Sequence, residues 1–389
     1  MKHIRTFVVL CLLGGLGLTV ASSAPAKIAG SEIRIGALLS KTGILAYYGD
    51  SQEIALNIAL EEINGAGGID GVPVKVIIYD TASKGDTAIS VAKRLIESDR
   101  VLAILGPMLS SSCRVVFPVV NRAQVPTVSA SCAAPGLAKE NRPWTFQYEA
   151  TSDKLTDPIV ERFKRDTKAK RVALIHDNKD VVSKLYATLV APVFLKKHDI
   201  EIITTQTFVT TDIDYSAQVT TMKAAKPDAV VIGALPIQAA HVAREMKKQG
   251  FTVPILGDVP ISGPQYTDLG KDATEGTYAV SELWYDKPSL WQREFIKKFK
   301  ERHKQGHLPH TVATSMYDAI HVMKWIIETR GVTNKPEDLR GDREKILKGW
   351  AELKDYPSMV GRISMNQDGE ALREYYLLKV VKGAWQRLF

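Results

Sequence analysis

The sequence predicts an α/β protein made of two lobes, each built on a parallel β-sheet covered by helices. Short apolar segments alternate with amphipathic helical segments along most of the chain, which is the pattern of repeated βαβ units. The segment 33–39 is a nearly continuous apolar run, typical of a strand buried on both faces. A break near Asp153 separates two such series. We therefore expect two Rossmann-like lobes.

Residues 1–26 are predicted to be a signal peptide. Lys2 and Arg5 precede an apolar run from Phe7 to Val20, and small residues follow at 24–26. The run is short and rich in glycine for a membrane span, so a retained anchor is the less favoured alternative. We expect export to the periplasm.

The composition of the remaining chain restricts its function. About 360 residues exceed one ordinary core and suit two domains. The leader holds two of the 51 basic residues and none of the 43 acidic ones, which leaves a net charge of +6. These charges form no arginine-rich stripe with interleaved aromatics, so nucleic-acid binding is not expected. Cys113 and Cys132 lack the spacing of a metal site; we expect buried thiols, with a disulfide as the alternative.

The elements of the first lobe follow from local patterns. After the first strand, Asp50-Ser-Gln-Glu53 resembles a capping box and predicts a helix that begins there and ends near Gly65. Further strands are predicted at 74–79, 101–105 and 125–128, and further helices at 86–98 and 110–121.

The same alternation continues in the second lobe. It predicts strands at 171–176, 200–208, 228–234 and 254–256, and helices at 181–197, 215–225 and 237–249. After Glu275 the alternation ends, and helices at 290–304, 311–329 and 343–351 precede a final β-ribbon with a turn at Asp368-Gly369.

A binding site is expected where the two sheets face each other, because open parallel sheets bind ligands at the carboxyl ends of their strands. Three serines, 110–112, start the helix that follows the third strand. A helix N-terminus attracts anions through its free N–H groups and partial positive charge. One serine suffices as a cap, so the surplus favours contact with a ligand.

Two further segments are candidates for the same cleft. The small residues of 129–135 leave room for a ligand, or form only a tight crossover. Tyr48, in the first loop between a strand and a helix, supplies an aromatic wall or merely packs at the surface.

The sequence predicts no catalytic machinery, cofactor or metal site. It contains no Gly-x-Ser-x-Gly elbow and no glycine-rich phosphate loop. His176 and Asp177 end a strand without a plausible nucleophile, and no histidine pair has metal-ligand spacing. We therefore expect a binding protein rather than an enzyme.

Five segments together resemble the type I periplasmic binding proteins of the branched-chain amino acid ABC transporters, across nearly the whole mature chain. They are 35–43 (IGALLSKTG), 61–71 (EEINGAGGIDG), 106–112 (GPMLSSS), 212–217 (DIDYSA) and 361–369 (GRISMNQDG).

The resemblance implies a Venus flytrap: two lobes joined by a three-strand hinge that close on a ligand. The N-terminal lobe would comprise 32–150 and 281–357, and the C-terminal lobe 151–280 and 358–389. The protein would be a monomer that delivers its ligand to an ABC permease in the inner membrane. A ligand-sensing module for a receptor is the alternative from another functional class.

The resemblance also implies the site residues. Ser110 and the adjacent Ser111, with Ser131 and Ala133, match the positions that hold a ligand carboxylate, and Tyr48 matches a residue of the pocket. Amino-acid binders have threonine at the position of Ala133. They have an acidic residue at the position of Val259, next to Asp258, and tyrosines at those of Val181 and Leu235.

These departures suggest that the ammonium half of the site is lost. An ammonium buried without a counter-charge costs several kcal/mol. We therefore expect a small organic carboxylate, preferably an aromatic or other non-zwitterionic acid. A hydrophobic or branched-chain amino acid is the alternative, and a shift of one residue to Asp258 would restore the acidic partner.

Overall fold

The computed structural model describes residues 28–284, 288–304, 306 and 308–388. The predicted signal peptide therefore lies outside the described residues. Two separate sheets, each with helices on both faces, confirm the predicted α/β class.

The first sheet has five parallel strands, because the apolar runs that form them are buried between two layers of helices. Their order is β2-β1-β3-β4-β5. The elements are β1 (Ile33–Leu39), α1 (Ala46–Gly65), β2 (Val74–Asp80), α2 (Gly85–Glu97), β3 (Ile104–Leu105), α3 (Ser110–Ala123), β4 (Thr127–Ser129) and β5 (Thr145–Gln147).

The second lobe repeats the alternation. Its elements are α4 (Ser152–Thr167), β6 (Arg171–Asp177), α5 (Val181–Leu185), a π-helical turn (Tyr186–Val190), α6 (Ala191–Lys197), β7 (Glu201–Phe208), α7 (Ser216–Ala224), β8 (Ala229–Gly233), α8 (Pro236–Lys248), β9 (Ile255–Gly257), α9 (Pro264–Gly270) and β10 (Tyr278–Ser281). The sequence had predicted neither α4 nor β10.

The chain then returns to the first lobe before it completes the second sheet. The returning elements are α10 (Leu290–Arg302), α11 (Thr311–Thr329), α12 (Leu339–Ala351) and a small antiparallel sheet of β11 (Tyr356–Ser358), β12 (Gly361–Met365) and β13 (Ala371–Leu372). Antiparallel β14 (Tyr376–Val381) and β15 (Ala384–Arg387) then extend the second sheet, whose order is β15-β14-β10-β9-β8-β6-β7.

The chain passes between the lobes three times: after β5, after β10 and after β13. We expected the third passage at residue 358, whereas in this structure it follows β13, about one hairpin later. Met359, Ile363 and Ala371 are buried in the same core as β1 and α11. The apolar face of the small sheet therefore keeps residues 358–372 with the first lobe.

Helix α1 begins at Ala46, so the predicted capping box at Asp50 is wrong and Asp50 lies inside the helix. A Cβ atom on Gly49 would lie only 2.0 Å from the Ser40 carbonyl oxygen. The first turn of α1 thus packs directly against the end of β1, and this tertiary contact starts the helix one turn early. As a result Tyr48 is a helical residue rather than a loop residue.

The two lobes touch each other in this structure. Leu185 of the second lobe packs on the core formed by α2 and α3. Leu235 of the second lobe packs on an apolar cluster that includes Tyr48 and Leu109 of the first. The space between the lobes is therefore closed off on these sides.

Candidate functional site

A cavity lies between the lobes at the carboxyl ends of the parallel strands, where the sequence predicted the site. The volume open to the centre of a water molecule is about 80 Å³, which is room for several waters. Its polar lining residues are Tyr48, Ser110, Ser131, Glu149, Asp180, Asp258, His310 and Thr311. Its apolar lining residues are Leu45, Met108, Leu109, Ala133, Val182, Leu235, Val259, Pro260 and Val312.

Seven of the nine residues predicted from the sequence line this cavity: Tyr48, Ser110, Ser131, Ala133, Leu235, Asp258 and Val259. Ser111 is half-buried and does not line it. Val181 begins α5, but its side chain lies outside the described ones; the next residue, Val182, lines the cavity.

One end of the cavity is formed by the start of α3. No side chain caps this helix, since the residue at its N-cap is Leu109. The Ser110 hydroxyl accepts a hydrogen bond from the Ala134 N–H (3.2 Å), which leaves its own O–H available to donate. Gly106 has φ +103°, and a Cβ there would lie 2.5 Å from the Leu38 carbonyl oxygen. Only glycine allows this close approach, which sets the position of the helix start.

The loop after β4 is held at the same end by buried polar side chains. The Ser129 hydroxyl donates to the Pro107 carbonyl oxygen (2.7 Å) and accepts from the Cys132 N–H (3.0 Å). Gln147 donates to the carbonyl oxygens of Cys132 (2.7 Å) and Ala134 (2.9 Å). The hydroxyl of Ser131 accepts from Gln52 (3.1 Å). These hydrogen bonds hold the loop in place at this end of the cavity.

The opposite end carries Asp258, which follows β9 and is 2 % exposed. Its Oδ1 accepts a hydrogen bond from the Val259 N–H (2.7 Å), while Oδ2 has no partner among the described residues. The pKa of Asp258 is raised to about 7, mainly by burial; the hydrogen bond from the Val259 N–H lowers it, and nearby Asp180 raises it. A buried carboxyl oxygen without a donor is costly, so a ligand donor is expected there.

Asp180 and Glu149 add two more carboxyl groups. Asp180 follows β6 and caps α5: its Oδ1 accepts from the N–H (2.8 Å) and the hydroxyl (2.6 Å) of Ser183. Glu149 lies on the first passage between the lobes. Burial and repulsion from Glu282 raise the pKa of Glu149 well above its usual range, and Arg373 partly offsets them. Among the described residues, the cavity is lined by three acidic side chains and by no lysine or arginine.

Tyr48 and His310 form one wall of the cavity. Their rings meet edge to face with centroids 5.3 Å apart. His310 is 8 % exposed, and neither ring nitrogen has a hydrogen-bond partner within the described part of the chain. Burial lowers the pKa of His310 to about 4, so the ring is neutral at pH 7.

Other residues that the sequence drew attention to have structural contacts. His176 and Asp177 do not line the cavity. Asp177 accepts from the Lys179 (2.8 Å) and Asp180 (3.2 Å) N–H groups and thereby shapes the turn that carries Asp180. Cys113 and Cys132 are buried free thiols, as expected. Across the described residues no cluster of side chains suits a metal ion, and no helix there has the length and apolar character to cross a membrane.

The sequence interpretation missed Glu149, Asp180 and His310. Asp180 follows a predicted strand, so the rule that ligands bind at strand ends would have found it. Glu149 follows the three-residue strand β5, which was not predicted, and His310 precedes a helix some 200 residues after the first-lobe strands. No local signal connects these two to the cavity.

The sequence profile of the periplasmic binding protein family matches residues 32–384. The chain belongs to this family. It is also similar to the Leu/Ile/Val-binding protein BraC3 of Rhizobium johnstonii, with 25% identity over 364 residues that cover 92% of this chain and 94% of BraC3.

Two solved structures share the fold. The branched-chain amino acid transporter substrate-binding protein LivJ from Streptococcus pneumoniae, in complex with isoleucine, has a TM-score of 0.80 and 25% identity, covering 92% of this chain and 99% of LivJ. A solute-binding protein of an ABC transporter from R. palustris, in complex with benzoate, has a TM-score of 0.80 and 15% identity, covering 92% and 95%. The chain thus has the fold of the type I periplasmic binding proteins and belongs to a family of solute-binding proteins.

The raised pKa of Asp258 predicts how stability depends on pH in the empty protein. A carboxyl whose pKa is higher in the folded chain favours folding below its unfolded pKa, and this contribution is lost as pH rises through 7. Replacing Asp258 by asparagine removes the cost of ionisation, worth roughly 4 kcal/mol at most, and introduces an unpaired amide donor. We expect Asp258→Asn to be about 2 kcal/mol more stable than wild type at pH 8.

Urea unfolding followed by tryptophan fluorescence at several pH values measures this difference. The advantage of the variant should shrink as pH falls toward 4. If wild type and Asp258→Asn had the same free energy of unfolding at every pH, burial would not raise the pKa of Asp258.

Proposed function

We propose that this protein captures a small hydrophobic α-amino acid in the cavity between its lobes and delivers it to an ABC permease. The observation that carries the proposal is Asp258, a buried carboxyl group that lines the cavity and has one oxygen without a partner among the described residues. It supplies the counter-charge for an ammonium, which the sequence-based preference for a non-zwitterionic acid had assumed to be missing.

The two ends of the cavity suit the two charges of an amino acid. The start of α3, the Ser110 hydroxyl and the loop carrying Ser131 offer donors and a partial positive charge for a carboxylate. Asp258, Asp180 and Glu149 offer acceptors for an ammonium, which carries three N–H donors. Without an ammonium, an anionic ligand would face three carboxyl groups and no cationic side chain of the described cavity lining.

The middle of the cavity suits an apolar side chain. Leu235, Val259 and Val312 line it together with Met108 and Leu109. Burying an aliphatic side chain of the size of leucine against such walls stabilises a complex by roughly 1.5–3 kcal/mol. The small volume disfavours larger solutes such as peptides. The names of BraC3 and LivJ, which indicate branched-chain amino acids, agree with this chemistry.

An aromatic acid remains the second candidate. Ala133 offers no hydroxyl to the ligand, and the cavity walls are mostly apolar, both of which suit a flat hydrocarbon body. The R. palustris protein in complex with benzoate shares the fold at 15% identity, which supports only the capacity of the fold for such ligands.

The two candidates predict opposite effects of pH on affinity. Asp258 must be ionised to hold an ammonium, so the affinity for L-leucine should rise from pH 5.5 to pH 8, with most of the gain below about 7. Ionised Asp258 repels a bare carboxylate, so the affinity for benzoate should fall over the same range. Isothermal titration calorimetry with both ligands measures these trends. Tight benzoate binding without leucine binding would overturn the amino-acid proposal.

The carboxylate end is tested by Ser110→Ala, with Ser111→Ala as the matched control on the same helix start. Loss of the Ser110 hydroxyl should weaken leucine binding about tenfold, the effect of one hydrogen bond to a charged group. Ser111 does not line the cavity, so its variant should bind as wild type. Fluorescence titration of both variants measures the difference, and equal affinities would remove Ser110 from the site.

A further inference from the structure

Glu149 lies where the cavity meets the hinge. It lines the cavity, is 7 % exposed and belongs to the first passage of the chain between the lobes. Glu149 therefore lies between the cavity and the segments that join the two lobes.

Behind Glu149 the three passages meet in a buried polar cluster. Arg373, on the third passage, donates to the Tyr148 carbonyl oxygen (3.0 Å) on the first. Its Nε lies 3.2 Å from Oε1 of Glu282 on the second. Glu282 also accepts from the Ala150 N–H (2.9 Å). Arg373 and Glu282 are 0 % and 1 % exposed, so this ion pair is shielded from water.

The charges around Glu149 do not balance when the cavity is empty. Arg373 is already paired with Glu282, and no second cation is present among the described groups that face Glu149 from the cavity or the hinge. Those titratable or charged groups are Tyr48, Cys132, Asp180, Asp258, Glu282, His310 and Arg373. Ionising a buried carboxyl in such surroundings is expensive unless a counter-charge arrives.

Two residues that line the cavity have buried polar atoms without hydrogen-bond partners in the described part of the chain. Asp258 Oδ2 and both ring nitrogens of His310 have no partners among the described residues, and both side chains are more than nine-tenths buried. A ligand that brings N–H donors and a positive charge would satisfy Asp258 and supply the counter-charge that Glu149 lacks.

We propose that Glu149 is protonated in the empty cavity and releases its proton to solvent when the cationic group of the ligand binds, so that capture is coupled to a proton at the hinge. The O–H bond of the carboxylic acid breaks, water takes the proton, and the carboxylate left behind pairs with the ammonium of the ligand. This inference rests on the proposed function, because it needs a cationic group in the ligand.

The proton of Glu149 is distinguishable from that of Asp258. The pKa of Asp258 is about 7, so this group is mostly ionised at pH 8 before any ligand binds. Burial and repulsion from Glu282 raise the pKa of Glu149 well above its usual range, and Arg373 partly offsets them. Glu282 beside it also has a raised pKa, so proton release at pH 8 is assigned to Glu149 only if it is lost in Glu149→Gln.

Calorimetric titration with L-leucine at pH 8, in buffers of low and high ionisation enthalpy (phosphate and Tris), counts the protons released per ligand bound. We expect wild type to release a large fraction of one proton and to bind up to tenfold more tightly per unit of pH between 7.5 and 9. Glu149→Gln should release almost none, and its affinity should hardly change over that range.

Two variants serve as controls. Asp318→Asn alters a buried carboxyl group beside Arg373 that does not line the cavity, so proton release should equal that of wild type. Asp258→Asn should bind leucine more weakly but release the same proton at pH 8.

The outcomes separate this inference from the proposed function. Leucine binding without proton release, or equal release by wild type and Glu149→Gln, overturns the role of Glu149 and leaves the proposed function intact. If Glu149→Gln does not fold, a flat affinity of wild type between pH 7.5 and 9 has the same meaning. Failure of wild type to bind leucine at any pH overturns both.

Discussion

The contacts of Arg373 connect the parts of this molecule on which binding depends. Its guanidinium reaches the carbonyl of Tyr148, the carboxylate of Glu282 and the hydroxyl of Ser315 on α11. It also lies over the ring of Tyr148, 5.3 Å from its centroid. One buried cation thus ties the three passages between the lobes to the core of the first. Removing it would leave buried carboxyl groups uncompensated, which typically costs several kcal/mol.

The same cluster gives the cavity its electrostatic character. The parallel strands of both sheets end at the space between the lobes, and Glu149 of the hinge lines the cavity there. Arg373 is paired with Glu282, and it only partly offsets the raised pKa of Glu149. The first lobe contributes a donor-rich end at α3, and the second lobe contributes Asp258 and Asp180. A zwitterion that spans both ends would neutralise each of them and hold the lobes together.

The sequence predicted the fold well wherever local patterns dominate. The bounds of β1 and α11 agree with the structure, because a buried apolar run and a long amphipathic face are local properties. The start of α1 was wrong because Gly49 packs against the end of β1, a contact that no capping pattern reveals. The third passage lies about one hairpin later than expected because the small sheet of β11 to β13 adds its apolar face to the first core.

The candidate site was predictable in part for the same reason. Residues that follow strands, such as Ser110, Ser131 and Asp258, were found because the carboxyl ends of parallel strands converge. Glu149 and His310 reach the cavity only through the hinge and the return of the chain to the first lobe. The acidity of the cavity was therefore underestimated, and this changes the preferred ligand from a bare carboxylate to an amino acid.

We infer that the ammonium of the ligand balances the acidic end of the cavity. The most direct test compares L-leucine with isocaproate, which is leucine without its amino group, by calorimetry at pH 8. We expect the loss of the ammonium to weaken binding at least about 100-fold, since it removes charge-assisted hydrogen bonds and leaves the carboxyl groups unpaired. Equal or tighter binding of isocaproate would show that the acidic groups of the cavity do not require an ammonium from the ligand.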